Sequence, residues 1–188
     1  MASIYIDHFS QPSRACMVFA RINSCGLKEE VINLVRGDHR KAGYLCINAF
    51  GRVPCLKDGD FTLPESAAIL HYLAVRPVRS EAGPASGRAH NAAALMQEKH
   101  EAPEHWWPRR SDLTTRARAN AALFWFASTL RPAASRLVFH SVLAPRMKRP
   151  MEPGVVHESE RSLAAALREL EEVFLDGGRQ PFVLRGGE

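Results

Sequence analysis

A chain of 188 residues can bury a real core and suits one large domain or two small ones. Hydrophobic content of 46% with 24% charged residues is that of a globular chain, and no apolar run approaches the roughly 20 residues of a membrane span. The formal net charge of +5 invites a nucleic-acid reading, yet the basic residues are dispersed over Arg109, Arg110, Arg116, Arg118, Arg146, Lys148 and Arg149, with no nucleic-acid motif among them. No nucleic acid and no membrane are therefore expected as partners, and a mild positive field favours a small anionic substrate.

The N-terminus runs almost directly into the alternating Ser3-Ile4-Tyr5-Ile6-Asp7, which leaves no room for a signal or transit peptide. The C-terminal Arg185-Gly186-Gly187-Glu188 is not a Ser-Lys-Leu peroxisomal address, so a cytoplasmic protein is expected. Cys16, Cys25, Cys46 and Cys55 include no C-x-x-C pair, and each is read as a free, buried, small hydrophobe.

Residues 3–7 alternate as a strand does. Pro12 suits the first position of a helix, where its missing N–H is not needed. Ala15, Val18, Phe19 and Ile22 then form one apolar helical face, and Cys25-Gly26 ends that helix. Residues 29–35 read as a second strand, and Arg36 to Lys41 as loop or irregular helix. Val53 to Lys57, Asp58-Gly59 and Asp60 to Leu63 form a hairpin around a positive-φ turn. After Pro64, the run from Glu65 to Val75 is helical, with Ala68, Ile69 and Tyr72 on one side. The order strand, helix, strand, hairpin, helix is that of an α/β thioredoxin-like domain over residues 1–76.

Residues 77–104 are rich in Pro, Gly, Ala and Ser and read as a linker, with a short helix at 92–100. Residues 105–188 are expected to be all-helical, with helices at 112–131 and 155–175. Leu163, Leu167, Leu170 and Phe174 mark an amphipathic stripe in the second.

Ser10 lies where the first strand gives way to the first helix. Dithiol redox proteins of this fold place their attacking cysteine there, because a helix N-terminus lowers a thiol's pKa. Serine in that slot argues against a glutaredoxin-like redox protein. A serine hydroxyl can instead donate a hydrogen bond to a bound thiolate. A free thiol of pKa about 8.5 is only about 3% ionised at pH 7, and a lowering of about two units makes it mostly thiolate. Helix capping is the plain alternative for Ser10.

Val53-Pro54 is a candidate cis bond whose Val53 backbone would offer a free edge to an extended peptide; a strand-entry proline is the plain alternative. Glu65 and Ser66 open a helix whose free N–H groups and hydroxyl suit a carboxylate, while Glu65 suits an ammonium; an ordinary acidic first turn explains them equally. His39 can reach a second carboxylate from its loop, or simply be exposed. His90, His100 and His105 lack metal-ligand spacing, so no metal and no cofactor are expected.

Singly these signals are weak; jointly they resemble one family. Ile4 to Leu73 is similar to theta-class glutathione transferases without a gap. It carries Asp7, Ser10-Gln11-Pro12-Ser13-Arg14-Ala15, Gly37-x-His39, Asn48, Arg52-Val53-Pro54, Leu56 to Leu63 and Glu65-Ser66. Further on, His105-Trp106-Trp107-Pro108, Asp112-Leu113, Arg116-Ala117-Arg118, Trp125, Leu130-Arg131 and Val142-Leu143-x-Pro145 resemble the start of that family's helical domain.

The resemblance implies that Ser10 activates the glutathione sulfur and that Gln11, His39, Arg40, Arg52, Val53, Pro54, Glu65 and Ser66 hold the rest of the tripeptide. It implies glutathione as co-substrate, small hydrophobic electrophiles as partners, a homodimer, and conjugation with glutathione-dependent peroxidase activity in detoxification. Four departures stand out: Ala49 in place of a proline, a longer linker, Pro132 inside an expected helix, and an end soon after Phe174. The last is read as a truncated or atypical helical domain. It leaves a second reading open, a non-catalytic glutathione- or ligand-binding protein without a complete electrophile site.

Overall fold

The computed structural model of the chain describes residues 2–75, 107–108 and 112–179. The expected linker 77–104 with its helix at 92–100, His90, His100, His105, Arg109, Arg110 and the tail from Gln180 lie outside the described residues. The chain divides into two compact units, Met1–Trp107 and Pro108–Glu188.

The first unit is built on β1 (Ala2–Ile6), β2 (Leu27–Val31), β3 (Cys55–Asp58) and β4 (Phe61–Pro64), in the order β2-β1-β3-β4. β1 pairs parallel with β2 and antiparallel with β3, and β3 pairs antiparallel with β4. The alternation in β1 puts Ala2, Ile4 and Ile6 in the core and Ser3 and Tyr5 on the opposite face. Helices α1 (Gln11–Ile22) and α3 (Ser66–Val75) cover the core face, where Ile4, Ile6, Cys16, Met17, Phe19, Leu56, Ile69 and Leu73 form one cluster. Trp107 packs against this cluster and sets its ring 3.8 Å from that of His71. On the other face the short helix α2 (Ala42–Leu45) brings Tyr44 to 5.9 Å from Tyr5, ring centre to ring centre.

Several expectations are corrected here. The inward face of α1 is Ser13, Cys16, Met17 and Ala20 with Phe19, whereas Ala15 is exposed and Val18 and Ile22 are 55% and 59% exposed. The helix stops at Ile22, and Asn23, through backbone and side chain, donates to the Phe19 carbonyl at 3.0 Å in each case. The turn to β2 then passes through left-handed Ser24 and Gly26. β2 spans 27–31 rather than 29–35. Cys46 is exposed, while Cys16, Cys25 and Cys55 are buried. α3 buries Ile69, Leu73 and Ala74, leaving Ala68 and Tyr72 half-buried.

The second unit contains α4 (Leu113–Trp125), α5 (Arg131–Val138), α6 (Ala144–Arg146) and α7 (Pro153–Glu169). Asp112 caps α4 by accepting the Thr115 N–H at 2.9 Å, and the Thr115 side chain first, then this backbone bond, hold its carboxyl below the ordinary value. The helix expected to end near 131 runs on to Arg146, through Pro132 and Pro145. Each proline follows a widened π turn, Phe126–Leu130 and Phe139–Leu143, where Arg131 donates to the Phe126 carbonyl and Ala144 to that of Phe139. A proline cannot donate to the carbonyl four residues back, and its ring collides with it; a wider turn accommodates both. α7 packs against α5 and ends in a third widened turn, Leu170–Phe174. Trp125 donates to Glu169 Oε2 at 2.9 Å and lies 4.8 Å from the Phe174 ring. In the expected stripe, Leu163, Leu170 and Phe174 are half-buried but Leu167 is 48% exposed, while the small Ser159 and Ala166 are the buried residues of the helix.

Candidate functional site at one end of the sheet

The strand register decides which loops meet. Ile6 lies beside Val31, Tyr5 beside Cys55, and Cys55 beside Pro64. The chain therefore leaves β1, leaves β2, enters β3 and leaves β4 at one and the same end of the sheet. Across that end the segments come in strand order: 32–40 with His39 and Arg40, then 7–10 with Ser10, then Arg52-Val53-Pro54, then Glu65-Ser66. Strands sit about 4.8 Å apart, so three spacings span about 14 Å. Three extended residues reach at most about 11 Å. The shortfall of about 3 Å is less than the reach of the side chains on the outermost segments, so an elongated ligand of tripeptide size laid across the strand ends can meet all four, with Ser10 near its middle.

Ser10 is the residue that caps α1. Its Oγ accepts the Ser13 N–H at a long 3.4 Å, and its own N–H donates to the Asp7 carbonyl at 3.0 Å. Capping uses a lone pair of the hydroxyl and leaves its proton free to donate. The two readings of Ser10 are therefore compatible. Gln11, the first residue of the helix, is exposed.

The Val53-Pro54 bond is cis. Among the described residues the Val53 backbone enters no hydrogen bond, although the preceding Arg52 carbonyl is held twice, by Tyr44 Oη at 2.6 Å and Asn48 Nδ2 at 2.7 Å. Burial raises the Tyr44 phenol to about 12, so it stays protonated and donating. Asn48, itself buried, accepts the Phe50 N–H through Oδ1 at 3.1 Å. Tyr44 has no counterpart in the sequence expectations; a tyrosine on a four-residue helix carries no periodic signal.

Glu65 has φ +70°, a conformation that a non-glycine residue occupies at a cost of about 1–3 kcal/mol. Its carbonyl accepts the Ile69 N–H at 2.9 Å, so Glu65 rather than Ser66 is the residue preceding the first turn of α3. The first N–H groups of α3 have no partner within the helix, and they lie with Ser66 at the point where the chain leaves β4. The Cys16 thiol lies 3.7 Å from the Ser66 carbonyl, tying α1 to this corner, and burial pushes that thiol up to about 12.

His39 sits in the 3₁₀ turn Asp38–Arg40, and its Nδ1 is buried without a partner among the described residues. Asp38 holds the turn: it pairs with Lys41 at 2.6 Å and accepts the Asn33 N–H at 3.2 Å, which keep its carboxyl below the ordinary value, Lys41 first. Gly51, with φ +57°, abuts the same turn; a Cβ there would stand 2.9 Å from the His39 carbonyl oxygen. Arg40 and Arg52 are exposed, with no partner for either side chain among the described residues. No cluster of three or more His, Cys, Asp or Glu suited to a metal occurs among the described residues, and no helix there is long and apolar enough to cross a membrane.

A β2-β1-β3-β4 sheet with two helices on one face and a cis-proline opening β3 defines a thioredoxin-like domain. Residues 17–76 match the family described as Glutathione S-transferase, N-terminal domain. Human glutathione S-transferase theta-2 is 34% identical over 96% of this chain and 63% of its own. Two human theta-class structures superpose on it. Theta-2, solved with glutathione and an unknown ligand, does so with a TM-score of 0.75 at 33% identity, over 94% of this chain and 63% of that one. A theta-class transferase holding the glutathione conjugate of 1-menaphthyl sulfate does so with a TM-score of 0.78 at 33% identity, over 100% and 66%. Residues 17–76 thus belong to the N-terminal domain family of the glutathione S-transferases, and the chain over most of its length is similar to their theta class. It spans about 63% of the length of that theta-2 relative.

Proposed function

We propose that the first unit binds glutathione across the strand ends and that the protein conjugates its thiolate to small electrophiles. The observation that carries this reading is the convergence of four segments on one sheet end with Ser10 central among them. On this reading the Ser10 hydroxyl and the N-terminus of α1 stabilise the thiolate. The Val53 backbone, presented by Pro54, pairs with the cysteinyl residue as an added strand would. Ser66 and the first N–H groups of α3 take the γ-glutamyl carboxylate, and Glu65 takes its ammonium. His39, Arg40, Arg52 and Gln11 serve the glycyl end and the rim.

Chemically the thiol proton leaves to solvent, and the thiolate attacks an electrophilic carbon. A C–S bond forms while the leaving group departs with its electron pair. Charge-assisted hydrogen bonding at the sulfur lowers the thiol pKa, which is the contribution asked of Ser10. Peroxidase activity, the homodimer and a cytoplasmic setting rest on the family resemblance alone. A second reading, binding without turnover, is favoured by one observation: Phe124, Phe126, Val142 and Leu143 of the second unit are exposed rather than lining a closed apolar site.

The test is calorimetry with glutathione, thiolate absorbance against pH, and conjugation of a small halide. We expect saturable binding in the micromolar to millimolar range. In Ser10→Ala the bound thiol should return toward its free value of about 8.5, with affinity little changed. Folded protein that gives no signal at millimolar glutathione refutes the binding site. Binding without conjugation selects the second reading.

A further inference from the structure

Asp7 is 5% exposed and makes more of the site than its own position suggests. Its Oδ1 accepts the Phe9 N–H at 2.7 Å, and its Oδ2 accepts the Leu34 N–H at 2.8 Å. Its main chain completes the knot: the carbonyl accepts from Ser10 N–H at 3.0 Å, and its N–H donates to the fully buried Ser13 Oγ at 3.4 Å. One carboxylate therefore pins two loops from adjacent strands. The first is 7–10, which aims Ser10; the second is 32–40, which carries His39 and Arg40. The first loop is further held on its outer side, where Arg14 Nη1 donates to the carbonyls of His8 at 3.0 Å and Phe9 at 3.3 Å.

We infer that Asp7 is a positioning residue that couples the sulfur-binding middle of the cradle to its glycyl-binding end by holding loops 7–10 and 32–40 together. The inference rests on the proposed glutathione site. Its physical content lies in the two short bonds. Hydrogen bonds to an ionised acceptor are the strong ones, and a buried carboxylate with two backbone donors is a rigid joint. Neither loop has a strand ladder of its own: Ile32 N–H makes the last bond to β1, at 2.7 Å to the Ile6 carbonyl. Without Asp7, Phe9 and Leu34 lose their acceptors, and the hydroxyl of Ser10 loses the fixed direction on which a thiolate hydrogen bond depends.

Two substitutions separate the bonds. Asp7→Asn keeps one carbonyl oxygen, enough for the local bond to Phe9, but turns an amide donor toward the Leu34 N–H. Asp7→Ala removes both acceptors. On the full chain, with glutathione as the probe, the bound thiol of Asp7→Ala should titrate about one unit higher than wild type, and kcat should fall about tenfold. Asp7→Asn should retain the wild-type thiol titration but bind glutathione about tenfold more weakly, the cost of one charge-assisted bond. An unchanged titration in a folded Asp7→Ala, while Ser10→Ala shifts it, overturns the positioning role and leaves the glutathione site standing. Wild-type protein that binds no glutathione overturns both. Should neither Asp7 variant fold, amide exchange on wild type decides: slow exchange at Phe9 and Leu34, slowed further together by glutathione, supports the joint, and exchange at Phe9 as fast as at His8 overturns it.

Discussion

The two units bury different kinds of residue. In the first, Ile4, Ile6, Leu56, Ile69 and Phe19 are inside, and the sheet supplies a flat apolar face on which α1 and α3 close. In the second, the buried residues among those described are Ala119, Ala144, Ser159 and Ala166, all small, while Phe124 is 75% exposed and Val173 72%. Small residues let helices approach closely but remove little area from water, at about 25 cal/mol per Å². The first unit is therefore held by burial. The second is held by helix continuity, caps and a few side-chain bridges such as Trp125 to Glu169. The proposed glutathione site sits entirely on the former.

The sharpest test of that difference is truncation of a core residue. Leu56→Ala, at a fully buried position on central β3, should cost about 2–5 kcal/mol by urea denaturation. A loss below 1 kcal/mol would mean that the first unit is not held by its sheet face.

Alkaline pH should act on the same unit. Burial pushes the Cys16 thiol from its ordinary 9.0 up to about 12 and the Tyr44 phenol from 10.0 up to about 12. Below pH 9 both groups are neutral in the folded and unfolded chains, and the stability linked to them is fully present. As pH rises from 9 toward 12 the unfolded chain releases these protons before the folded one, so stability is lost across that window. Melting midpoints should fall there, and Cys16→Ala should flatten the slope. An equal slope in the variant would remove Cys16 from the account.

How much of this was legible in the sequence varies with the physics involved. β1 alternates cleanly, and the hairpin carries its Asp58-Gly59 turn, so both were readable. The face of α1 was not, because its inward positions include Ser13 and Cys16, which weigh little as hydrophobes, while the exposed Val18 and Ile22 weigh much. Ile32, Leu34 and Val35 continue the apolar pattern of a strand past Val31, where β2 ends. Ile32 N–H still bonds the Ile6 carbonyl, but the next two backbone N–H groups are captured by side chains, Asn33 by Asp38 and Leu34 by Asp7. Pro132 reads as a kink or break until the preceding turn is seen to widen. At the strand ends, Ser10 and Glu65-Ser66 were identifiable as helix openings. The left-handed Glu65 and the clasp of Tyr44 and Asn48 on the Arg52 carbonyl were not, since both depend on residues brought together only by folding.

Gly51 offers a smaller perturbation that reaches the site from beneath. Any side chain there meets a positive φ and the His39 carbonyl at 2.9 Å. Gly51→Ala should cost about 1–3 kcal/mol of stability and weaken glutathione binding, and with the Asp7 joint intact the displacement should also reach the 7–10 loop and raise the bound thiol's titration slightly. A thiol that titrates as in wild type would show that the 32–40 and 7–10 loops move independently, against Asp7 as their joint.

The smallest effect on stability, and the most telling about the second unit, is expected on its surface. Phe124 in α4 is 75% exposed, so Phe124→Ser removes an aromatic ring that packs little. Its stability should stay within about 0.5 kcal/mol of wild type, as for surface substitutions that break no special feature. Exposed apolar side chains attract hydrophobic probes, and Phe126, Val142, Leu143 and Met147 of the same unit are exposed as well. Wild-type protein should therefore enhance the fluorescence of a hydrophobic dye without denaturant, and Phe124→Ser should reduce that signal measurably. A wild type that leaves the dye dark would mean the apolar residues of this unit are covered in solution, and a variant losing 2 kcal/mol or more would show what covers them to be part of the folded chain's stability. Either result would erase the contrast between the units, because both would then be held by burial.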